Sequence, residues 1–292
     1  MNIMPRKIIG ENLKNEIRSF YQIKPITIRE VGKEFNLSDP TIIKILGDTP
    51  RWPKNKILNP EINEDYFEVI DNERKAYFIG LMISDGNVFV PKNGGSLWAS
   101  ITLANEDKYI LEEFRKDMRV NNIVASDGRG CSYMVVRSNK IGNDLSKYGI
   151  VPHKTLISYL PKNIDDVYMR HVIRGLMDGD GCISMRQTKR RFEHAVSFSG
   201  THVLMSEISQ YIKNVLDLNA NLKVYDYKDR HLSEFKIQAI EDIHKFLTWI
   251  YYDATIFLKR KRAKYDIFLE HYHLEQGNTE VISKITKGLE TP

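Results

Sequence analysis

Between Ile26 and Leu46 apolar residues recur twice at helical spacing, with a break between the two runs. Ile28, Val31 and Phe35 line one face, and Ile42, Ile43, Ile45 and Leu46 line the other. Asn36 sits in the break, where a tight turn needs a residue that tolerates left-handed backbone, and Leu37 is its buried residue. Ser38 is placed to cap the second helix, and Pro40 falls in its first turn. Residues 1–50 therefore read as a small all-α domain. Gly47, Pro50, Pro53 and Pro60 then break any helical pattern, so 51–65 reads as a linker with a short helix near its end.

From residue 66 onward the pattern occurs twice. AYFIGLMISDGNV (76–88) returns as HVIRGLMDGDGCI (171–183), an offset of 95 residues. After each comes an alternating stretch, SITLA (100–104) and AVSFS (195–199), then a helical run, 107–118 and 202–216. A second strand follows, YMVV (133–136) and FKIQ (235–238), then a closing helix, near 139–149 and 241–251. The expected fold class is α+β: two pseudo-symmetric αββαββα repeats over 66–160 and 161–270, beside the small all-α N-terminal domain. Residues 271–292 are left as a C-terminal tail.

Each repeat opens with an apolar helix ending in acid–glycine. Gly80 and Ser84 are four apart, as are Gly175 and Gly179. Small residues at that spacing share a helix face and permit close backbone approach, so these four are expected at a helix–helix interface. Gly86 and Gly181 are expected to stop the helices in the left-handed conformation. Asp85 and Asp180 then stand at equivalent ends of two touching helices, where the helix dipole disfavours anions. Such a pair shares a proton or binds divalent cations, and hard oxygen ligands favour Mg²⁺ over zinc.

Composition narrows the class. The 292 residues are 42% hydrophobic and 28% charged, which excludes a disordered or collagen-like chain. Two cysteines, Cys131 and Cys182, are too few for a disulfide framework or a zinc cluster. No apolar run is long enough to span a bilayer, and the N-terminus lacks the apolar core of a signal peptide. The expectation is an intracellular protein, in the cytoplasm or another DNA-containing compartment, with no membrane partner. The net charge of +5 comes entirely from residues 1–60, which hold 11 Lys/Arg and 6 Asp/Glu. That excess suits a nucleic-acid partner. The two-helix pattern at 28–46 resembles a helix-turn-helix, whose second helix lies in the major groove. Ser38, Asp39, Thr41 and Lys44 are its candidate contacts; a helical hairpin that only packs is the alternative.

FIGLMISDG (78–86) and IRGLMDGDG (173–181) resemble the two signature helices of the LAGLIDADG homing endonucleases, in the single-chain, two-repeat form. The resemblance implies that each repeat supplies a four-stranded antiparallel sheet. The sheets form a saddle straddling double-stranded DNA, with the signature helices beneath it. It implies that Asp85 and Asp180 are catalytic and hold Mg²⁺, with Mn²⁺ or Ca²⁺ able to occupy the same sites. Both strands of a long, non-palindromic target would be cut, leaving short 3′ overhangs. A basic residue near each metal pocket is also implied: Lys154 within YGIVPHKTL (148–156), and Lys261, or alternatively Lys259, within ATIFLKRKRAKY (254–265). Asp107 and His202 fall where the family keeps polar residues that order water.

Base readout is implied along the strands. In the second repeat the candidates are Cys182, Ser184, Arg186, Thr188, Glu193, Ser197, Ser199, Lys223, Tyr225, Tyr227, Lys236 and Gln238, with Lys189, Arg190 and Arg191 on phosphates. In the first they are Asn87, Phe89, Trp98, Ser100 and Thr102, a less polar set that predicts weaker or shape-based readout. Phe89 and Trp98 pointing into the core is the alternative. A monomer without a small-molecule cofactor is expected. A DNA-binding regulator that lost cleavage, or an intron RNA maturase, remains as a rival on the same fold.

Overall fold

The structure, a computed structural model, describes residues 9–275 apart from 53, 93, 155–156, 188–191, 219–223 and 228–231. It divides into two units: residues up to Asn63 together with Met118–Asn121, and the remainder.

In the first unit the hydroxyl of Thr27 accepts from the Glu30 amide while the Glu30 carboxylate accepts from the Thr27 amide. This reciprocal cap starts α2 (Ile28–Glu34). It follows α1 (Glu11–Ile23) and precedes α3 (Asp39–Leu46) and the short α4 (Lys54–Leu58). Ile17 and Tyr21 of α1 close a core with Val31, Ile42, Ile45 and Leu46. Asn36 takes φ +51°, as the turn requires. Gly32 is held against that turn: a Cβ there would lie 2.7 Å from the Leu37 carbonyl oxygen. Ser38 occupies the cap position of α3 but makes no capping bond; its hydroxyl is 2.9 Å from that of Thr41. The sequence pattern had left α1 unread, and Trp52 ties the segment after α3 to it through its indole N–H on the Tyr21 carbonyl.

The second unit contains two four-stranded antiparallel sheets, each flanked by helices. In the first repeat α5 (Glu73–Ser84) leads into β1 (Gly86–Phe89) and β2 (Trp98–Ala104). Then come α6 (Lys108–Asp117), β3 (Ala125–Ser126), β4 (Cys131–Arg137) and α7 (Asn139–Ser146). The second repeat runs α8 (Asp166–Gly179), β5 (Gly181–Gln187), β6 (Phe192–Gly200), α9 (His202–Leu216), β7 (Val224–Tyr227), β8 (Leu232–Ile237) and α10 (Ile240–Tyr251). The sheet orders are β1-β2-β4-β3 and β5-β6-β8-β7, the same topology twice.

Alternation decides the faces. Val88, Ala99, Ile101, Leu103, Met134 and Val136 turn inward in one sheet; Ile183, Val196, Phe198, Phe235 and Ile237 do so in the other. α6 and α7 cover the first set, α9 and α10 the second. Among the described residues, those on the opposite face of each sheet are exposed or half-buried. α5 is buried along nearly its whole length because it packs on both its sheet and α8.

An additional helix, α11 (Lys259–Glu275), follows the second repeat. It carries helix through residues 271–275, at the start of the stretch read as a C-terminal tail. It seats Tyr265 and Phe268 in the core.

Candidate functional site

The contact between α5 and α8 places the acids. A Cβ on Gly80 would collide with the Val172 carbonyl oxygen, and one on Gly175 with that of Tyr77. A Cβ on Gly179 would meet Ser84 Oγ and lie 2.6 Å from Asp85 Oδ2. The two helices therefore touch backbone to backbone, and the four residues Gly80, Ser84, Gly175 and Gly179 lie in that contact. The Ser84 hydroxyl donates back to the Leu81 carbonyl at 3.1 Å.

Gly86 and Gly181 do not stop the helices by left-handed backbone, because neither has positive φ. They begin β1 and β5. Their glycine requirement is crowding: a Cβ on Gly86 would stand 2.5 Å from the Met82 carbonyl oxygen, and one on Gly181 2.6 Å from that of Met177.

Asp85 and Asp180 each occupy the position just past their helix. Among the described residues neither carboxylate has a side-chain hydrogen bond. Burial, and then the charge of Asp180, push the Asp85 carboxyl up to about 6. Burial also raises Asp180. Lys154 and Lys261 oppose both shifts. These lysines are buried, at 7% and 6% exposure. Lys154 Nζ donates to the Ile83 and Ser84 carbonyls at 2.6 and 3.2 Å. Lys261 Nζ donates to the Gly181 carbonyl. Each lysine thus lies on the backbone at an acid-bearing helix end, and burial lowers both below the usual lysine range. Lys259 instead lays its ammonium 4.7 Å from the Tyr109 ring centroid. Geometry therefore favours Lys261 over Lys259 beside the acids. Lys261 lies in the first turn of α11.

Two desolvated carboxylates beside two buried ammonium groups fit a hard divalent cation. Among the described residues no cluster of three or more His, Cys, Asp or Glu side chains forms a closed cage.

One buried network was not anticipated. Asp178 is fully buried and accepts from the hydroxyls of Tyr77 (2.8 Å) and Tyr251 (2.6 Å) and the amide of Leu258 (2.7 Å). Arg174, also fully buried, bonds Glu73 at 2.5 Å, His171 Nδ1 at 2.8 Å and the carbonyls of Ile250 and Ile256. The signal was an Arg and an Asp four residues apart in an otherwise apolar run.

The open sheet faces hold most of the predicted contact residues. Asn87, Phe89, Trp98, Ser100 and Thr102 share the uncovered side of the first sheet, in register Asn87–Ser100 and Phe89–Trp98. Phe89 is 44% exposed, so it and Trp98 do not enter the core. Their rings meet edge to face at 5.7 Å, and the Arg137 guanidinium lies 4.1 Å over Trp98. Arg137 and Tyr133, on the same face of β4, were missed, although their alternation was visible. In the second sheet Cys182 pairs with Ser197, Ser184 with Ala195, Arg186 with Glu193, Ser197 with Lys236 and Ser199 with Glu234. Tyr225 and Tyr227 are exposed on β7, and Glu234 takes Lys236 at 2.8 Å and the Tyr227 hydroxyl at 3.1 Å. Gln238 lies one residue past β8 and is exposed. Thr188, Lys189, Arg190, Arg191 and Lys223 lie outside the described residues. In the first unit Lys44 is exposed on α3 and Thr41 is half-buried.

His202 and Asp107 occupy equivalent positions but differ in setting. His202 Nδ1 is 3.4 Å from the Ser233 hydroxyl, whereas Asp107 is buried and paired with Arg260. No helix among the described residues is long and apolar enough to cross a membrane.

No family model and no curated protein sequence matches the chain. Solved structures do. The DNA-bound LAGLIDADG meganuclease I-AabMI is 14% identical, with TM-score 0.51 over 74% of this chain and 97% of that one. A point mutant of I-SmaMI is 12% identical, with TM-score 0.53 over 76% and 100%. I-SmaMI bound to an uncleavable DNA gives 11%, 0.50, and 74% and 94%. With two four-stranded antiparallel sheets of like topology, this chain has the single-chain, two-repeat LAGLIDADG fold of these neighbours.

Proposed function

We propose that this chain is a site-specific LAGLIDADG endonuclease that hydrolyses both strands of a long, non-palindromic DNA using divalent metal ions. The observation that carries the reading is the pair Asp85 and Asp180, brought together by glycine-mediated helix contact with a buried lysine at each helix end. Stability alone gives no reason to bury two coupled carboxylates at helix C-termini.

In this reading Asp85 and Asp180 would hold Mg²⁺, which supplies positive charge to a scissile phosphate and acidifies water. Mn²⁺ or Ca²⁺ would occupy the same sites. Lys154 and Lys261 stabilise charge developing on the phosphate oxygens from fixed positions that need no rearrangement. Their carbonyl partners aim the ammonium groups. The open sheet faces contact the bases: Arg186, Lys236 and Gln238 make directed bonds, and Tyr225, Tyr227, Glu193, Ser197, Asn87, Ser100 and Thr102 complete the surface. Thr41 and Lys44 on α3 add a helix-turn-helix contact to flanking DNA. The solved neighbours described as bound to DNA support this reading of the surface. The protein acts as a monomer, in a DNA-containing intracellular compartment, without a small-molecule cofactor.

The test is Mg²⁺-dependent cutting of a pooled library of double-stranded sites, with Asp180→Asn as control. Site-specific cutting that the substitution abolishes in at least one strand supports the proposal. Site-selective binding without cutting by either protein replaces it with a regulator. RNA binding in place of both replaces it with a maturase.

A further inference from the structure

The two repeats also meet away from α5 and α8, and there the two sides differ: on one the Thr201 hydroxyl donates to the Ser158 carbonyl and the Leu160 amide to the Glu207 carboxylate, and on the other an arginine is paired with a buried acid. Arg260 Nε donates to Asp107 Oδ2 at 2.8 Å, and Asp107 is buried. The Tyr109 hydroxyl donates to the Phe257 carbonyl at 3.1 Å and accepts from the Lys259 amide. The first turn of α11, which carries Lys261, is thereby fastened to the first turn of α6. α6 itself follows β2, whose Thr102 amide donates to the Asp85 carbonyl at 3.3 Å. The fastening therefore joins Lys261 to the frame that holds Asp85.

Shifting by the repeat offset removes the side chains and the amide hydrogen involved. His202 replaces Asp107, and Leu204, without a hydroxyl, replaces Tyr109. With Lys154 matched to Lys261, His153 replaces Arg260 and Pro152, without an amide hydrogen, replaces Lys259. His202 turns to the Ser206 and Ser233 hydroxyls instead.

Arg260 is only partly used by this lock. Asp107 engages Nε, and among the described residues the two terminal amino groups have no hydrogen bond. The side chain is 39% exposed. A guanidinium fixed at Nε with its outer amino groups open is a ready phosphate fork. Its charge also reaches Asp85, holding that carboxyl lower than burial alone would leave it.

We infer that Arg260, positioned by Asp107, grips a DNA phosphate beside Asp85 and so makes the two strand cuts unequal. This rests on the nuclease reading above. Arg260 contacts the substrate, Asp107 is a positioning residue, and among the described residues the His153–His202 side has no equivalent fork.

The experiment follows each strand separately in single-turnover cleavage of a duplex labelled on both strands. It compares the full-length parent with Arg260→Met, Arg260→Lys and Asp107→Asn. Melting temperature and DNA affinity without metal are recorded for each. Losing one charge-assisted phosphate contact should slow one strand by about tenfold or more in Arg260→Met. The other strand should stay within about twofold, since its barrier is untouched. Singly nicked duplex then accumulates. Arg260→Lys restores part of the rate, and Asp107→Asn slows the same strand. Metal-free affinity should fall by less than the slowed rate does. Equal slowing of both strands with a lowered melting temperature makes the lock structural and overturns the inference. Unchanged rates overturn it as well. A parent that cuts neither strand of its bound site overturns the nuclease reading, and this inference with it; a parent that cuts both leaves that reading intact whatever the variants do.

Discussion

The hydroxyl of Tyr77 donates to the carboxylate of Asp178 across the α5–α8 contact, at 2.8 Å and out of reach of solvent. Each comes from a different repeat. Asp178→Ala would leave the Tyr77 and Tyr251 hydroxyls and the Leu258 amide without their acceptor. Breaking such a buried charged cluster from one side costs about 3–5 kcal/mol. Chemical denaturation should register that loss, and Asp178→Asn, which keeps an acceptor oxygen, should lose less.

Asp85 gives a pH signature in the absence of divalent ions. Its folded carboxyl is raised from 3.8 to about 6, chiefly by burial. The folded state therefore binds this proton more tightly than the unfolded chain does. Ionised Asp85 opposes folding most fully above about 6, and the penalty fades as pH falls towards 3.8. Asp85→Asn should raise the melting temperature at pH 7.5, with a gain that shrinks as pH is lowered through that window. Adding Mg²⁺ should stabilise the parent and leave an Asp85→Asn, Asp180→Asn double variant unmoved.

Much of this frame was legible in the sequence, for a physical reason: a duplicated chain displays each element twice. The two copies of the signature helix displayed the duplication, and alternation in 100–104 and 195–199 identified strands; which face stays open came from the family resemblance. Less legible were features decided by tertiary contact. α11 carries eight charged residues in seventeen and, among the described residues, buries only Lys261, Tyr265 and Phe268, so no apolar stripe marks it. Arg174 and Asp178 look like one solvated face until Glu73, Tyr77 and Tyr251 arrive from elsewhere to satisfy them. Leu13, Ile17 and Tyr21 of α1 do recur at helical spacing, but α1 lies outside the two helices that the turn residues mark.

Gly86 separates two accounts of the same residue. If left-handed backbone required glycine, asparagine would be the better-tolerated replacement. Crowding against Met82 predicts the reverse ranking. Gly86→Ala should lose about 1–3 kcal/mol by overpacking, and Gly86→Asn more. Urea titration of both variants decides between them.

Lys154 and Lys261 should matter to chemistry more than to binding. Removing one preorganised donor at a developing charge lowers turnover by about 10²-fold. Lys154→Met and Lys261→Met should each show that loss in single-turnover rate, with metal-free DNA affinity altered far less.

Arg137, stacked on Trp98 in the first sheet, tests how that face reads DNA. If it bonds a base edge, Arg137→Ala should relax discrimination at one position by about 1–3 kcal/mol. If it holds a phosphate, affinity should drop for all sequences alike and the salt slope should fall by about 1. Competition binding against singly substituted sites distinguishes the two.

The polar network between the repeats runs in one direction. Glu73 and Tyr77 come from the first; Arg174, Asp178 and Tyr251 come from the second. At the offset of 95, Arg174 and Asp178 correspond to Ile79 and Ile83, and Glu73 and Tyr77 to Tyr168 and Val172. Two copies of the first repeat would bury tyrosine hydroxyls against isoleucine. Two copies of the second would bury arginine without its glutamate. Cut apart and mixed, the halves would recognise each other and reject themselves. The interface therefore works only between unlike halves, each supplying the partners that the other lacks.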